Sequence, residues 1–187
     1  YPELGDFVNQ PYKHEVKKIK NNVNVIFSRD GHIWHNGIHT PIRVTKTFKF
    51  DKDSNEITCE YLIEKTNNFE PMKIKFGVEL NYALLAGDAP DRYYVFPGVD
   101  IENNKLNSIG EVNSVKSFEL HDEWQSIIIE TELDREANVW RFPLETVSLS
   151  EYGFERIYQS SVVIPYFDFV LTDKFSFEIK HKIIVDQ

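Results

Sequence analysis

From Met72 to Leu85 the chain alternates. Met72, Ile74, Phe76, Val78, Leu80, Tyr82 and Leu84 fall on one side, and Lys73, Lys75, Gly77, Glu79, Asn81 and Ala83 on the other. A period of two marks a strand with one apolar face. At about 3.3 Å per residue, a single strand over 72–85 would run roughly 45 Å. The same period sets Trp140, Phe142 and Leu144 against Arg141, Pro143 and Glu145, and it returns in Phe175, Phe177, Ile179, His181, Ile183 and Val185. Further strands are expected at 12–18, 23–29, 42–50, 57–66, 111–120, 124–133, 139–149 and 154–164. No segment keeps a helical period over three turns, and no internal repeat is visible. So many strands in one compact piece pack as two sheets face to face. Residues 1–187 are therefore expected to form a single all-β domain, a large β-sandwich.

Turn signals punctuate the strands. Asp30-Gly31 and Asn36-Gly37 are hairpin-type dipeptides, since both tolerate positive φ. The loop DKDSNE (51–56) spaces Asp51, Asp53 and Asn55 like the start of a calcium loop. Glu56 stands where the turn glycine belongs and Leu62 where the bidentate Glu belongs, so a solvated hairpin turn is expected instead. AGDAPDRYY (86–94) reads as a loop, as does the polar stretch from the Pro97-Gly98 pair to Gly110. The hinge SLSEYGFE carries Tyr152 and Gly153 at its tip.

Composition agrees with strands. The 187 residues include 14 Phe, 9 Tyr and 3 Trp against a single Met, and aromatic side chains pack well on pleated surfaces. A chain this long removes roughly 70% of its unfolded surface from water, enough for a core without disulfides or metal. The net charge of −9 excludes a phosphate-backbone binder, though not a neutral polyol such as a sugar. No run of 18 apolar residues is present, so no membrane span is expected. Cys59 is the sole cysteine, read as a small buried hydrophobe in a reducing, cytoplasmic compartment.

The phrases GDFVNQPY (5–12), FGVELNYALLAGDAPDRYY (76–94) and WRFPLETVSLSEYGFERIYQSSVVIP (140–165) resemble the C-terminal β-sandwich domain of glycoside hydrolase family 57, in its α-amylase and 4-α-glucanotransferase branch. The resemblance implies a twisted sandwich of the galactose-mutarotase-like kind, attached to a catalytic (β/α)7 barrel that acts on α-1,4-glucans. The family's catalytic carboxylates lie in that barrel, and nothing here has the length or βα alternation to form one. No catalytic residue is therefore assigned. The implied partners are the barrel and an α-glucan or maltooligosaccharide, and no cofactor is implied.

Sugar recognition calls for an aromatic platform with amides or carboxylates beside it. Trp34, Tyr93, Tyr94, Trp124 and Tyr152 sit in or beside turn-rich segments, and Asp91 and Arg92 share the 86–94 loop. The bland alternative is that the rings seal sheet edges and that Asp91 pairs with Arg92. Asp88 and Asp91 could also supply hard oxygen ligands to Ca²⁺. Trp140 is assigned to the core. His32, His35 and His39 have a zinc-like spacing, but on strands His32 and His35 would face opposite sides. Glu145, Glu151 and Glu155 surround the hinge, and a buried network with Arg141, Arg156 or Gln159 is favoured over a catalytic carboxylate pair. Three rivals stand beside the accessory-domain reading. One is a small enzyme of the mutarotase or epimerase type recruiting His121, Asp122 and Glu79; the others are a stand-alone carbohydrate-binding module and a pure interaction module.

Overall fold

A computed structural model describes residues 2–35, 37–151 and 153–185. Among them every regular element is a strand, and no helix is long and apolar enough to cross a membrane. The strands are β1 Lys13–Ile19, β2 Asn22–His35, β3 Ile38–Asp51, β4 Glu56–Lys65, β5 Met72–Gly77, β6 Leu80–Tyr82, β7 Arg92–Val95, β8 Gly110–Asp122, β9 Ile127–Ser150, β10 Gly153–Leu171 and β11 Lys174–Val185. Contacts group the chain into two compact units, Tyr1–Ile74 with Asp168–His181 and Lys75–Phe167 with Lys182–Gln187.

In the first unit β1, β2, β3 and β4 form an antiparallel meander, with β11 beside β4. Its interior holds Ile42, Val44, Cys59, Tyr61, Ile63, Phe177 and Ile179, with Tyr61 stacked on Phe177 at 4.8 Å between ring centroids. The Asn36-Gly37 hairpin is present: His35 pairs with Ile38, and Gly37 takes φ +77°. The Asp30-Gly31 turn is absent. Both residues continue β2, opposite Arg43 and Ile42. Gly31 serves another purpose, because a Cβ there would lie 2.3 Å from Asp6 Oδ1 and 2.8 Å from the Phe7 ring. The lead-in segment thus lies directly on the strand, held by Arg29 Nη2 to Asp6 Oδ2 at 2.9 Å.

In the second unit β9 pairs with both β8 and β10, β6 adds to β10, and β7 adds to β8. Its core gathers Leu84, Tyr94, Phe96, Leu106, Phe118, Leu120, Val139 and Val163. Here the chain departs from its sequence pattern in three places. The alternating run 72–85 is not one strand: it breaks after Gly77, where Val78 N–H donates to the Pro165 carbonyl at 3.0 Å, and resumes as β6. The 86–94 segment is not all loop, because its end forms β7. The expected strands 124–133 and 139–149 are a single strand, β9, that carries Asp134, Arg135 and Glu136 through without a turn. Opposite them, β8 absorbs the irregularity as register shifts between Val112 and Ser117, where Ser114 takes φ +54°.

The buried face of β9 is also the reverse of the one expected. Ala137, Val139 and Arg141 are buried, Trp140 is half-buried against Tyr166, and Phe142 and Leu144 are exposed. Arg141 holds its inner position with both terminal guanidinium nitrogens satisfied, although its Nε is buried with no hydrogen-bond partner among the described residues. Arg141 Nη1 donates to Ser108 Oγ at 2.6 Å and Nη2 to the Asn103 carbonyl at 3.1 Å.

Candidate functional site

β7 and β8 build the site. Their antiparallel register sets Arg92 opposite Asp122, Tyr93 opposite His121, Tyr94 opposite Leu120 and Val95 opposite Glu119. Side chains of directly paired residues share a face, and successive residues alternate. Tyr94 and Leu120 accordingly go to the core, while Tyr93, His121 and Glu119 line the other side.

On that outer side the Tyr93 and His121 rings stack at 5.0 Å with 14° between their planes. His121 Nε2 lies 2.6 Å from Glu119 Oε2. The Tyr93 hydroxyl donates to Glu123 Oε1 at 2.9 Å, and this bond is the chief cause that raises the phenol's pKa. Trp124 follows Glu123 in the turn before β9 and is 77% exposed. The result is a half-buried ledge of one stacked ring pair and two carboxylates, with His121 18% and Glu119 24% exposed at the side chain, next to the turn from which the Trp124 indole projects. Such a ledge can stack on the apolar face of a sugar ring and hydrogen-bond its hydroxyls.

Beneath the ledge lies its support. Asp122 is 1% exposed; its Oδ2 accepts from Arg92 Nε at 3.2 Å and its Oδ1 from Gln125 N–H at 3.0 Å. Arg92 Nη1 also reaches Asp91 Oδ1 at 3.2 Å. Of the residues assigned to sugar contact, Tyr94 and Arg92 are therefore corrected. Tyr94 is 1% exposed, with its hydroxyl donating to the Leu106 carbonyl and burial pushing its pKa up to about 12. Arg92 is committed to the Asp91 and Asp122 carboxylates. Asp91 keeps part of its surface, and its carbonyl accepts from Glu123 N–H at 2.9 Å. The Asp88 backbone carbonyl accepts from the Lys105 ammonium at 2.8 Å, and of the two carboxylates considered for Ca²⁺ that of Asp91 accepts from Arg92. Tyr152 lies outside the described residues.

The remaining candidates are dispersed. In the first unit Trp34 is 38% exposed, with His39 edge-on at 5.3 Å and His32 at 6.1 Å. Among the described residues no group of three or more His, Cys, Asp or Glu converges as metal ligands. The DKDSNE loop closes on itself, with Asp53 N–H on Asp51 Oδ1 and Glu56 N–H on Ser54 Oγ. A hollow of about 370 Å³ beside it is lined by Asn22, Asn24, Lys49, Asp51 and Glu56 among others. Glu145 is paired with Arg156 at 3.3 Å on the surface, not in a buried network. The trio His121, Asp122 and Glu79 does not converge either. Asp122 points inward, and Glu79 is exposed and accepts from Asn81. Glu119 and Glu123 complete the ledge instead. Glu119 follows from the β8 alternation once β7 is known to be a strand, which the loop-like composition of 86–94 concealed, while Glu123 lies in the turn after β8 and is placed by its bond to Tyr93.

The family model described as "Alpha-amylase/4-alpha-glucanotransferase, C-terminal" matches residues 1–181. The "Alpha-amylase 1" of Dictyoglomus thermophilum is 33% identical over 164 residues, which are 87% of this chain and 22% of that protein. The crystal structure of the 4-alpha-glucanotransferase of Thermococcus litoralis aligns with a TM-score of 0.70 at 29% identity, covering 97% of this chain and 24% of that one. A galactose mutarotase-like protein from Lactobacillus casei aligns with a TM-score of 0.53 at 11% identity, over 92% of this chain and 74% of that one. This last likeness concerns the fold alone and sets the chain among galactose-mutarotase-like β-sandwiches. The chain spans about a fifth of the length of the curated relatives it matches.

Proposed function

The chain belongs to the C-terminal domain family of α-amylases and 4-α-glucanotransferases, and from that membership we propose that it is a non-catalytic accessory domain of an α-1,4-glucan-active enzyme. Its role is to support the catalytic barrel of the parent protein and to contact the α-glucan. The observation that carries this reading is the match at about a fifth of the relatives' length, confined to their C-terminal family. The Tyr93–His121 stack with Trp124, Glu119 and Glu123 is the surface best suited to the glucan. The exposed Trp124 indole can stack on a sugar ring and the neighbouring carboxylates can accept from its hydroxyls.

Calorimetric titration with maltoheptaose tests the contact. Binding in the micromolar to millimolar range is expected, weakened about tenfold or more by Trp124→Ala with the circular dichroism spectrum unchanged. No heat at millimolar sugar removes the glucan contact and leaves the supporting role. The mutarotase reading is disfavoured because His121, Asp122 and Glu79 do not converge: Asp122 is spent on Arg92 and Glu79 accepts from Asn81. Anomer interconversion of glucose faster than in buffer would reinstate it.

A further inference from the structure

β9 and β10 change character part-way along. Their inner portions are buried at Val139, Arg141 and Ser160–Val163. The two strands stay paired as far as Ser150 opposite Gly153, yet the outer portion leaves large apolar groups in water: Val147 is 61% exposed, Leu149 74% and Phe154 81%. The register sets Leu149 opposite Phe154 and Val147 opposite Arg156, so Val147, Leu149 and Phe154 are neighbours on one face of the arm. Among the described residues nothing covers that face. A strand with both sides in water has no reason to hold adjacent apolar residues, and such a patch marks an interaction surface.

We propose that this face of the β9–β10 arm is the docking surface for the remainder of the parent polypeptide, an inference that rests on the accessory-domain reading above. Two features select that occupant. The relatives are about five times as long as this chain, so the missing part would be tethered to the arm and present at high effective concentration. On this face the register places Glu145 and Arg156, joined at 3.3 Å, with Glu155 on the opposite side, so the apolar residues are bordered by a compensated ion pair, while the whole chain carries a net charge of −9. Two free copies, each at −9, repel as they approach, whereas a partner tethered by the same chain is held beside this nearly neutral apolar face.

The test uses the full-length protein encoded by the natural reading frame. Hydroxyl-radical footprinting should find Leu149 and Phe154 oxidised at least fivefold more slowly than the exposed Trp124 after each rate is divided by the intrinsic reactivity of that residue type. Limited proteolysis of a Leu149→Glu/Phe154→Glu variant should release this domain at least tenfold faster than the parent does. Equal release rates together with full oxidation of Phe154 would overturn the docking surface. A multimer that dissociates in the variant, with release unchanged, would assign the face to a second copy and overturn it too. If the frame encodes no further domain, both this proposal and the accessory-domain reading fall. If the full-length protein acts on maltooligosaccharides while the arm stays unprotected, only this one does.

Discussion

Arg92 and Asp122 face each other across β7 and β8, joined through Nε and Oδ2 at 3.2 Å, with the carboxylate 1% exposed. Because strand residues alternate, burying this pair and the Tyr94–Leu120 pair fixes which neighbours face outward. Tyr93 and His121 stack, half-buried, on the opposite side because Arg92 and Asp122 are held on the inner one.

Removing Asp122 leaves the buried Arg92 with only the partly exposed Asp91 carboxylate, and leaves Gln125 N–H without its acceptor. Asp122→Ala should therefore cost about 3–5 kcal/mol of stability, read from urea denaturation followed by circular dichroism. The double change Arg92→Met/Asp122→Leu should recover most of that loss, since a packed apolar pair replaces an ion pair at little cost. A loss below 1 kcal/mol in the single variant would mean that the ion pair does not hold β7 in place.

Arg141 gives a second inner polar position with a different logic. Its guanidinium lies 5.6 Å from the Tyr94 ring centroid and ties the 103–110 segment to β9. Gly110 leaves room for it, since a Cβ there would fall 2.9 Å from Nη2. Gly110→Ala should cost about 1–3 kcal/mol by crowding, and Arg141→Ala about 2–4 kcal/mol by uncoupling the segment. The two should not add. A double variant whose loss falls short of the sum by at least 0.5 kcal/mol is the expected outcome of the cycle.

Strand content was legible wherever alternation was long and unbroken, as in β3, β4 and β11. Register and facing were less so, for reasons that can be named. Trp140, Phe142 and Leu144 looked like a buried face because hydropathy does not register that Arg141 finds Ser108 and the Asn103 carbonyl from distant segments. The run 72–85 looked continuous because alternation survives the break at Val78, whose N–H turns to Pro165. Tyr93 and Trp124 were visible as candidates, while Glu119 needed the β7–β8 register and Glu123 the turn that follows β8, long-range placements that no local pattern contains.

Cys59 is 3% exposed, and burial pushes its thiol up to about 12. The thiolate is the reactive form, so iodoacetamide at pH 8 should leave the folded protein unlabelled over hours. Labelling should appear along the urea unfolding curve. Fast labelling of the native state would show that β4 opens locally below the global transition.

His181 supplies a pH dependence whose sign can be worked out. Burial pushes its imidazole down to about 4 from an ordinary 6.5. Above pH 6.5 it is neutral in both folded and unfolded chains and contributes no slope. Between pH 6.5 and 4 the unfolded chain takes up a proton there that the folded chain refuses. Unfolding is then favoured as pH falls, by up to about 1.4 kcal/mol per unit. His181 is half-buried, so a total of about 1–3 kcal/mol across that window is expected. His181→Phe keeps the ring and removes the proton site. The difference in urea-derived stability between parent and variant should be flat from pH 8 to 6.5 and then move steadily in the variant's favour down to pH 4. Asp30, whose bond to Arg43 holds its carboxyl below the usual range, contributes stability that is lost only as pH falls further. It is common to both proteins and cancels in the difference. A difference that stays flat through pH 5 would place the His181 ring in water.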